Sequence, residues 1–257
     1  MTLLACDIGN SHTVLGLIEG GVVTAQWRMS TDERRTADEW AVLTRGLVGP
    51  AMADIDGIAV CATVPSVLHV WREMLARHFG DVPTVVVEPG IRTGVPILMD
   101  NPREVGSDRI VNALAAVTDF GGPAIIVDFG GTATTFDVVS EQGQYIGGAI
   151  SPGIELSLAA LGRRGAQLRE VELQRPRSVI AKNTVEALQS GMVFGVASQV
   201  EGIVERMIDQ LDVDPARVTV ISTGYLADLV RHECRCFTQY APALTLRGLE
   251  LVFARNT

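Results

Sequence analysis

Lysine is nearly missing from this chain: among 21 lysine and arginine side chains in 257 residues, Lys182 is the only lysine. It sits between Ala181 and Asn183, outside any G-x-x-x-x-G-K-[ST] loop, and that loop occurs nowhere in the sequence. The protein-kinase H-R-D-L and the hydrolase G-x-S-x-G are absent too, which argues against P-loop, protein-kinase and α/β-hydrolase chemistry. Cysteine is scarce: Cys6, Cys61, Cys234 and Cys236 form no C-x-x-C pair, so thiols are expected rather than zinc ligands or disulfides. The histidines His12, His69, His78 and His232 show no metal spacing, and only His12 is a candidate to line a polar turn. No run of 18 apolar residues occurs, and the N-terminus has no basic start, so neither a membrane span nor a signal peptide is expected and a cytoplasmic protein is. Positive charge is in deficit, 21 basic against 30 acidic residues for a net charge of -9, which disfavours nucleic acid and anionic membranes as partners.

What is present is ordinary globular material, 47% apolar and 20% charged, with 26 glycines and 11 prolines. The length suits one large domain or two modest ones. Periodicity predicts a short strand over residues 3–6 ending in Asp7, then strands over 13–18 and 22–29 across glycine-rich turns. Thr36 and Glu39 have capping-box spacing and open an amphipathic helix reaching about Val48. A buried strand over 57–61, a helix after Pro65 and a strand over 85–87 follow, a succession that suggests a mixed sheet with helices on its faces.

The second half restarts in the same way. Residues 124–139 align with residues 3–18 without a gap: strand, Asp7 or Asp128, one apolar residue, Gly9 or Gly130, and a turn bearing Ser11 or Thr132. Such internal similarity predicts two like domains, 1–120 and 121–257, meeting at a cleft with their hairpins facing each other, and a boundary in the turn-rich stretch 119–123. Further on, a helix after Pro152 to about Gln167, a long helix over 183–211, a strand over 218–221 and a last helix over 244–255 are expected.

The turn at residues 7–13 has two readings. Gly9 would let backbone N–H groups face an anion, with Asn10 and the hydroxyls as added donors, and Asp7 would then act through a hydrated Mg2+. The plain alternative is a β-hairpin with a polar turn; the second copy at 128–135 favours a polyphosphate clamp. Residues 106–109 also allow two readings. Asp108 is either a carboxylate complementing a helix dipole beside Arg109, or a general base for a phosphoryl-acceptor alcohol with Arg109 holding an acidic acceptor. The glycine-rich stretches 147–153 and 183–191 read either as tight helix starts or as polar functional breaks; Thr184 stands out because it exposes a hydroxyl where a long helix begins.

Together these segments resemble the type III pantothenate kinase family over essentially the whole chain: Asp-Ile-Gly-Asn-Ser-His-Thr-Val at 7–14, Asp-Asn-Pro-Arg-Glu-Val-Gly-Ser-Asp-Arg at 100–109, Asp-Phe-Gly at 128–130 with Thr-Ala-Thr-Thr-Phe-Asp at 132–137, Gly-Gly-Ala-Ile-Ser-Pro-Gly at 147–153, and Asn183-Thr184. The resemblance implies a duplicated actin-like, ribonuclease H-like ATPase fold, α/β with mixed sheets flanked by helices. It also implies ATP-dependent phosphorylation of pantothenate at its primary hydroxyl, the first step of coenzyme A biosynthesis. By the same transfer, Asp7, Ile8, Gly9, Asn10, Ser11, His12, Thr13 and Val14 hold ATP phosphates and Mg2+, and Thr132 contacts ATP. Asp108 is the proton acceptor, while Gly106, Ser107, Asp108 and Arg109 meet pantothenate. Asp128 is the monovalent-cation ligand, for K+ or NH4+, and Thr184 reaches pantothenate from the neighbouring subunit of a homodimer. Two departures from the family pattern stand out: Gly130-Gly131 adds one residue to the usual Asp-x-Gly-Thr, and Met99 replaces a common tyrosine of the pantothenate wall. They imply weakened activity, and deletion of Gly131 is expected to leave it equal or better. The rival readings are a catalytically weak or inactive binding or regulatory homologue, as in the related Bvg accessory factor type, and another small-molecule kinase or phosphatase of the same superfamily.

Overall fold

The structure is a computed structural model that describes residues 1–164 and 171–257, and the chain divides into two compact units. In the first unit the three apolar runs form an antiparallel meander, β1 (Thr2–Ile8), β2 (His12–Glu19) and β3 (Val22–Ser30). Helix α1 (Ala37–Val48) starts at the expected capping box: the Thr36 hydroxyl accepts from the Glu39 N–H at 3.3 Å, and the Glu39 carboxylate accepts from the Thr36 N–H at 2.8 Å. Strand β4 (Gly57–Ala62), helix α2 (Pro65–His78), whose first residue is a proline that needs no N–H partner, and strand β5 (Thr84–Val86) follow. β4 and β5 add in parallel beyond β1, giving the order β3-β2-β1-β4-β5. Trp40 of α1 and Trp71 of α2, both fully buried with ring centroids 5.5 Å apart, close one core together with Leu15 and Val60. Helix α3 (Ser107–Phe120) carries the chain out of this unit, which holds it as far as Ala115.

The second unit repeats the plan. Strands β6 (Ala124–Phe129), β7 (Ala133–Val139) and β8 (Tyr145–Pro152) form a second antiparallel meander, followed by α4 (Ile154–Arg164) and α5 (Thr184–Leu211). After β9 (Thr219–Thr223), α6 (Ala227–Val230) and β10 (Gln239–Tyr240), the sheet reads β10-β9-β6-β7-β8, with β9 parallel to β6. Ala197, Val200 and Val204 of α5 pack on Ile125, Val127 and Phe136 to form its core. Helix α7 (Leu244–Asn256) then returns to the first unit and lies on β1, β4 and β5. A Cβ at Gly57 would run into the Phe253 ring, so that glycine lets the helix seat. The stretch 119–123 thus precedes the second sheet, but the last helix, Ala243–Thr257 in the unit division, belongs with the first.

Local differences from the expectations have simple causes. Residues 147–150 are strand, not a break: β8 completes the repeated meander, and Gly147, at φ 129°, sits where its register against β7 shifts, the kind of place a strand glycine marks. β5 and β9 are displaced by one or two residues, since apolar runs do not mark where hydrogen bonding starts. The end of a helix near Gln167 lies outside the described residues. Among the described residues no helix is long and apolar enough to cross a membrane.

Candidate active site

The two hairpins share one register. Asp7 faces Val14 and Ile8 faces Thr13; 121 positions on, Asp128 faces Thr135 and Phe129 faces Thr134. In the first unit Asp7 is half-buried at the end of β1 and lies beside Cys61 of the parallel strand β4. The Cys61 thiol donates to Asp7 Oδ1 at 3.3 Å. Burial, and after it the charges of Asp7 and Asp108, push this thiol well above its ordinary range, so it stays protonated and remains a donor. The turn from Gly9 to His12 is held through its carbonyls: Ile8 O accepts from Thr63 N at 3.0 Å, Gly9 O from the Thr31 hydroxyl at 2.8 Å, Ser11 O from Thr31 N at 2.9 Å and His12 O from Gly9 N at 3.0 Å. The Ile8 side chain packs in the core and the Thr13 side chain is fully buried, so neither presents a side chain to a ligand; Asn10 is exposed.

The N-terminus of α3 is tied to the same strand. Ser107 Oγ donates to Ala62 O at 3.0 Å and accepts from Ala62 N at 3.1 Å, which fixes the start of α3 to the end of β4. The hydroxyl proton is used there, leaving Ser107 only a lone pair for a substrate. Asp108 folds back over Gly106 so closely that a Cβ at 106 would strike its Oδ1. That oxygen is sealed from solvent without a hydrogen-bond partner. Burial raises the carboxyl above its ordinary value, against smaller opposing effects of the Arg109 backbone N–H and guanidinium. A carboxylate with raised proton affinity is suited to general-base work. Ser107→Ala should cost about 1 to 2 kcal/mol of stability, read from urea unfolding; an unchanged midpoint would show the clasp to be idle.

In the second unit Gly224, at φ 89°, presses on Asp128. A Cβ there would collide with Asp128 Oδ1 and stand 2.7 Å from both Phe129 N and Phe129 O. Thr132 O accepts from Gly153 N at 2.9 Å, Gly131 O from Leu156 N at 3.1 Å and Phe129 O from Leu226 N at 3.3 Å. Gly131 is buried: a Cβ on it would run into the Tyr225 hydroxyl and Glu155, which hydrogen-bond at 2.6 Å. Relative to the first hairpin Gly131 is no insertion, because the residue-by-residue register is the same. Because Gly131 is buried and its carbonyl accepts from Leu156 N, its deletion is expected to disrupt the turn rather than leave activity equal or better. Met99 lies over Gly147, whose Cβ would sit 3.7 Å from its sulfur. Thr184 is exposed at the first turn of α5, next to Asn183, whose Oδ1 accepts from Glu186 N at 2.9 Å to cap the helix.

A sequence profile of the type III pantothenate kinase family matches residues 3–206. A type III pantothenate kinase of Nocardioides is 77% identical over 256 residues, covering the whole of both chains. The chain belongs to the type III pantothenate kinase family. Another member, from Streptomyces coelicolor, is 61% identical over 261 residues, with 99% of this chain and 98% of that one covered. Among solved structures, a Baf family transcriptional activator from Campylobacter jejuni (TM-score 0.58, 19% identity, 98% of each chain) shares the fold. So does the activator of the 2-hydroxyisocaproyl-CoA dehydratase from Clostridium difficile with bound ADPNP (TM-score 0.57, 14% identity, 99% of this chain and 95% of that one). The duplicated sheets are those of the actin-like ATPase fold.

In the first unit of this pantothenate kinase family member, the structure brings Asp7, the turn after it and residues 106–109 together around β4. Asp128, Thr132 and Thr184 belong to the second unit. The sequence reading missed Thr31, Thr63, Cys61, Gly153, Glu155 and Tyr225. Only Gly153 lies in a glycine-rich motif, the stretch 147–153; the one other local signal was that Thr31, like Gly153, follows the third strand of a meander.

Proposed function

We propose that this chain transfers the γ-phosphoryl group of ATP to the primary hydroxyl of pantothenate, giving 4'-phosphopantothenate and ADP in the first step of coenzyme A biosynthesis, and that it works in the cytoplasm as a homodimer. The observation that carries this reading is the buried, unpartnered Asp108 oxygen, tethered through Ser107 to the strand that flanks Asp7, within a chain of this family. Asp108 accepts the hydroxyl proton as the acceptor oxygen bonds to phosphorus and the bond to the leaving ADP oxygen breaks. Arg109 pairs with the pantothenate carboxylate. The turn at residues 10–12 supplies backbone N–H groups to the phosphates, while the carbonyls of Gly9 and Ser11 are engaged by Thr31 and that of His12 by the Gly9 N–H.

Asp7 would hold hydrated Mg2+, which would offset phosphate charge when bound; its half-buried carboxylate at the end of β1 is an oxygen ligand of the kind such a hard cation takes. Asp128 would hold K+ or NH4+, its carboxylate supplying the oxygen; Gly224, with no Cβ, leaves the space beside Asp128 Oδ1 open. Thr132 contacts ATP, and Thr184 meets pantothenate across the dimer. Exposed apolar side chains on the second unit support the dimer, notably Ile150 of β8 at 64% and Val185 of α5 at 50% exposure. The test is incubation with ATP, Mg2+ and K+, with and without pantothenate, following phosphopantothenate by mass. Pantothenate-dependent product, K+ dependence, and sedimentation at the mass of two 27.5 kDa chains are expected. No product under these conditions favours the regulatory reading instead.

A further inference from the structure

Thr31 lies outside every glycine-rich motif, just past the end of β3, yet it makes three hydrogen bonds to the first hairpin. Its N–H donates to Ser11 O at 2.9 Å and its hydroxyl donates to Gly9 O at 2.8 Å. The hydroxyl oxygen also lies 2.9 Å from the Thr13 hydroxyl. A carbonyl only accepts, so the single Thr31 proton goes to Gly9 O; Thr13 is therefore the donor to Thr31, and its own proton is committed within the protein. The chain Thr13 Oγ–H to Thr31 Oγ–H to Gly9 O has one direction.

The duplication supplies an internal control. In the second hairpin, Phe129 O is held by Leu226 N, as Ile8 O is held by Thr63 N. Thr132 O is held by Gly153 N, the residue just past β8, as Ser11 O is held by Thr31 N just past β3. The backbone clasp is thus common to both turns, whereas the side-chain clasp belongs to the first alone, because Gly153 has no hydroxyl.

We propose that Thr31 is a positioning residue for ATP: its hydroxyl locks the Gly9–Asn10 peptide so that the turn presents N–H groups, not a carbonyl, to the phosphates. The physical need arises from glycine. Gly9 makes the tight turn possible, but the same freedom lets the peptide after it rotate, and rotation would replace a donor by an acceptor that repels phosphate oxygens. A hydrogen bond that occupies Gly9 O opposes that rotation. This role rests on the proposed function, and it predicts an effect on nucleotide rather than on pantothenate.

The experiment compares the parent with Thr31→Val, which keeps the shape and removes both hydroxyl bonds, and Thr31→Ser, which keeps them. Thr31→Val should raise KM for ATP about tenfold, with kcat and KM for pantothenate within about twofold of the parent, and Thr31→Ser should restore the parental KM for ATP. Binding of ADP by calorimetry should weaken in parallel in Thr31→Val. Equal KM for ATP in Thr31→Val and the parent overturns this role alone. So does a loss shared equally by both substrates and not rescued by serine. A parent that binds no nucleotide overturns the proposed function together with this role.

Discussion

Asp108→Asn should lower kcat about a thousandfold while the protein remains folded and melts no lower than the parent. The asymmetry follows from burial. Oδ1 of Asp108 is enclosed without a partner, so ionising the carboxyl costs more in the folded chain than in the unfolded one. A carboxyl whose folded value is raised above 3.8 binds its proton more tightly in the native state, so its contribution to stability declines as pH rises through that interval. Replacing it by a neutral amide removes that cost together with the base. In the parent, kcat should fall on acidification with a midpoint above the ordinary 3.8, and this limb should vanish in the residual activity of Asp108→Asn. Product formation by mass across a pH series, with thermal melting alongside, checks both halves. Turnover at the parental rate in the variant would refute the assignment of the base.

Deletion of Gly131 should abolish turnover and the cooperative melt together. Shortening the turn by one residue moves every β7 side chain to the opposite face of its sheet, including Phe136, which is fully buried. The deletion also removes the carbonyl that accepts from Leu156 N and the surface against which Gly153 packs. Gly153→Ala is the milder companion. Its Cβ would run into Gly131 O and stand 2.7 Å from Ala133 N, and since both are backbone atoms neither can swing aside. Overpacking of this kind costs about 1 to 3 kcal/mol, read as a lower denaturant midpoint with the fold retained. A soluble deletion variant with parental melting and turnover would show that the second turn tolerates the shorter form after all.

The parts of the site legible in the sequence share one property: their partners lie within a few residues. The strand, aspartate, glycine and turn of each hairpin are contiguous, and because their register is closed by the turn itself, the gapless alignment of residues 3–18 with 124–139 carried over into identical cross-strand pairs. The capping box at Thr36 and Glu39 was readable for the same reason. What failed locally was a judgement about glycine. The stretch 147–153 resembled a break, and only the pairing of β8 with β7 shows residues 147–152 as strand; Gly131 read as one residue more than the usual Asp-x-Gly-Thr, and only the fold shows it buried with its carbonyl accepting from Leu156 N.

The amino-acid order alone determined the family, the duplication, the two aspartate hairpins and the candidate base, because each is written in short contiguous motifs. Tertiary structure decided the rest: that α7 returns to the first unit, that Ser107 spends its proton on Ala62, 45 positions away, that Cys61 donates to Asp7 across 54, and that Thr31 braces Gly9 across 22. The reason is that hydrogen bonding and desolvation depend on distance in space. A threonine past a strand end or an aspartate at a helix start acquires its proton affinity and its partners only once the sheet has brought remote segments within about 3 Å of one another.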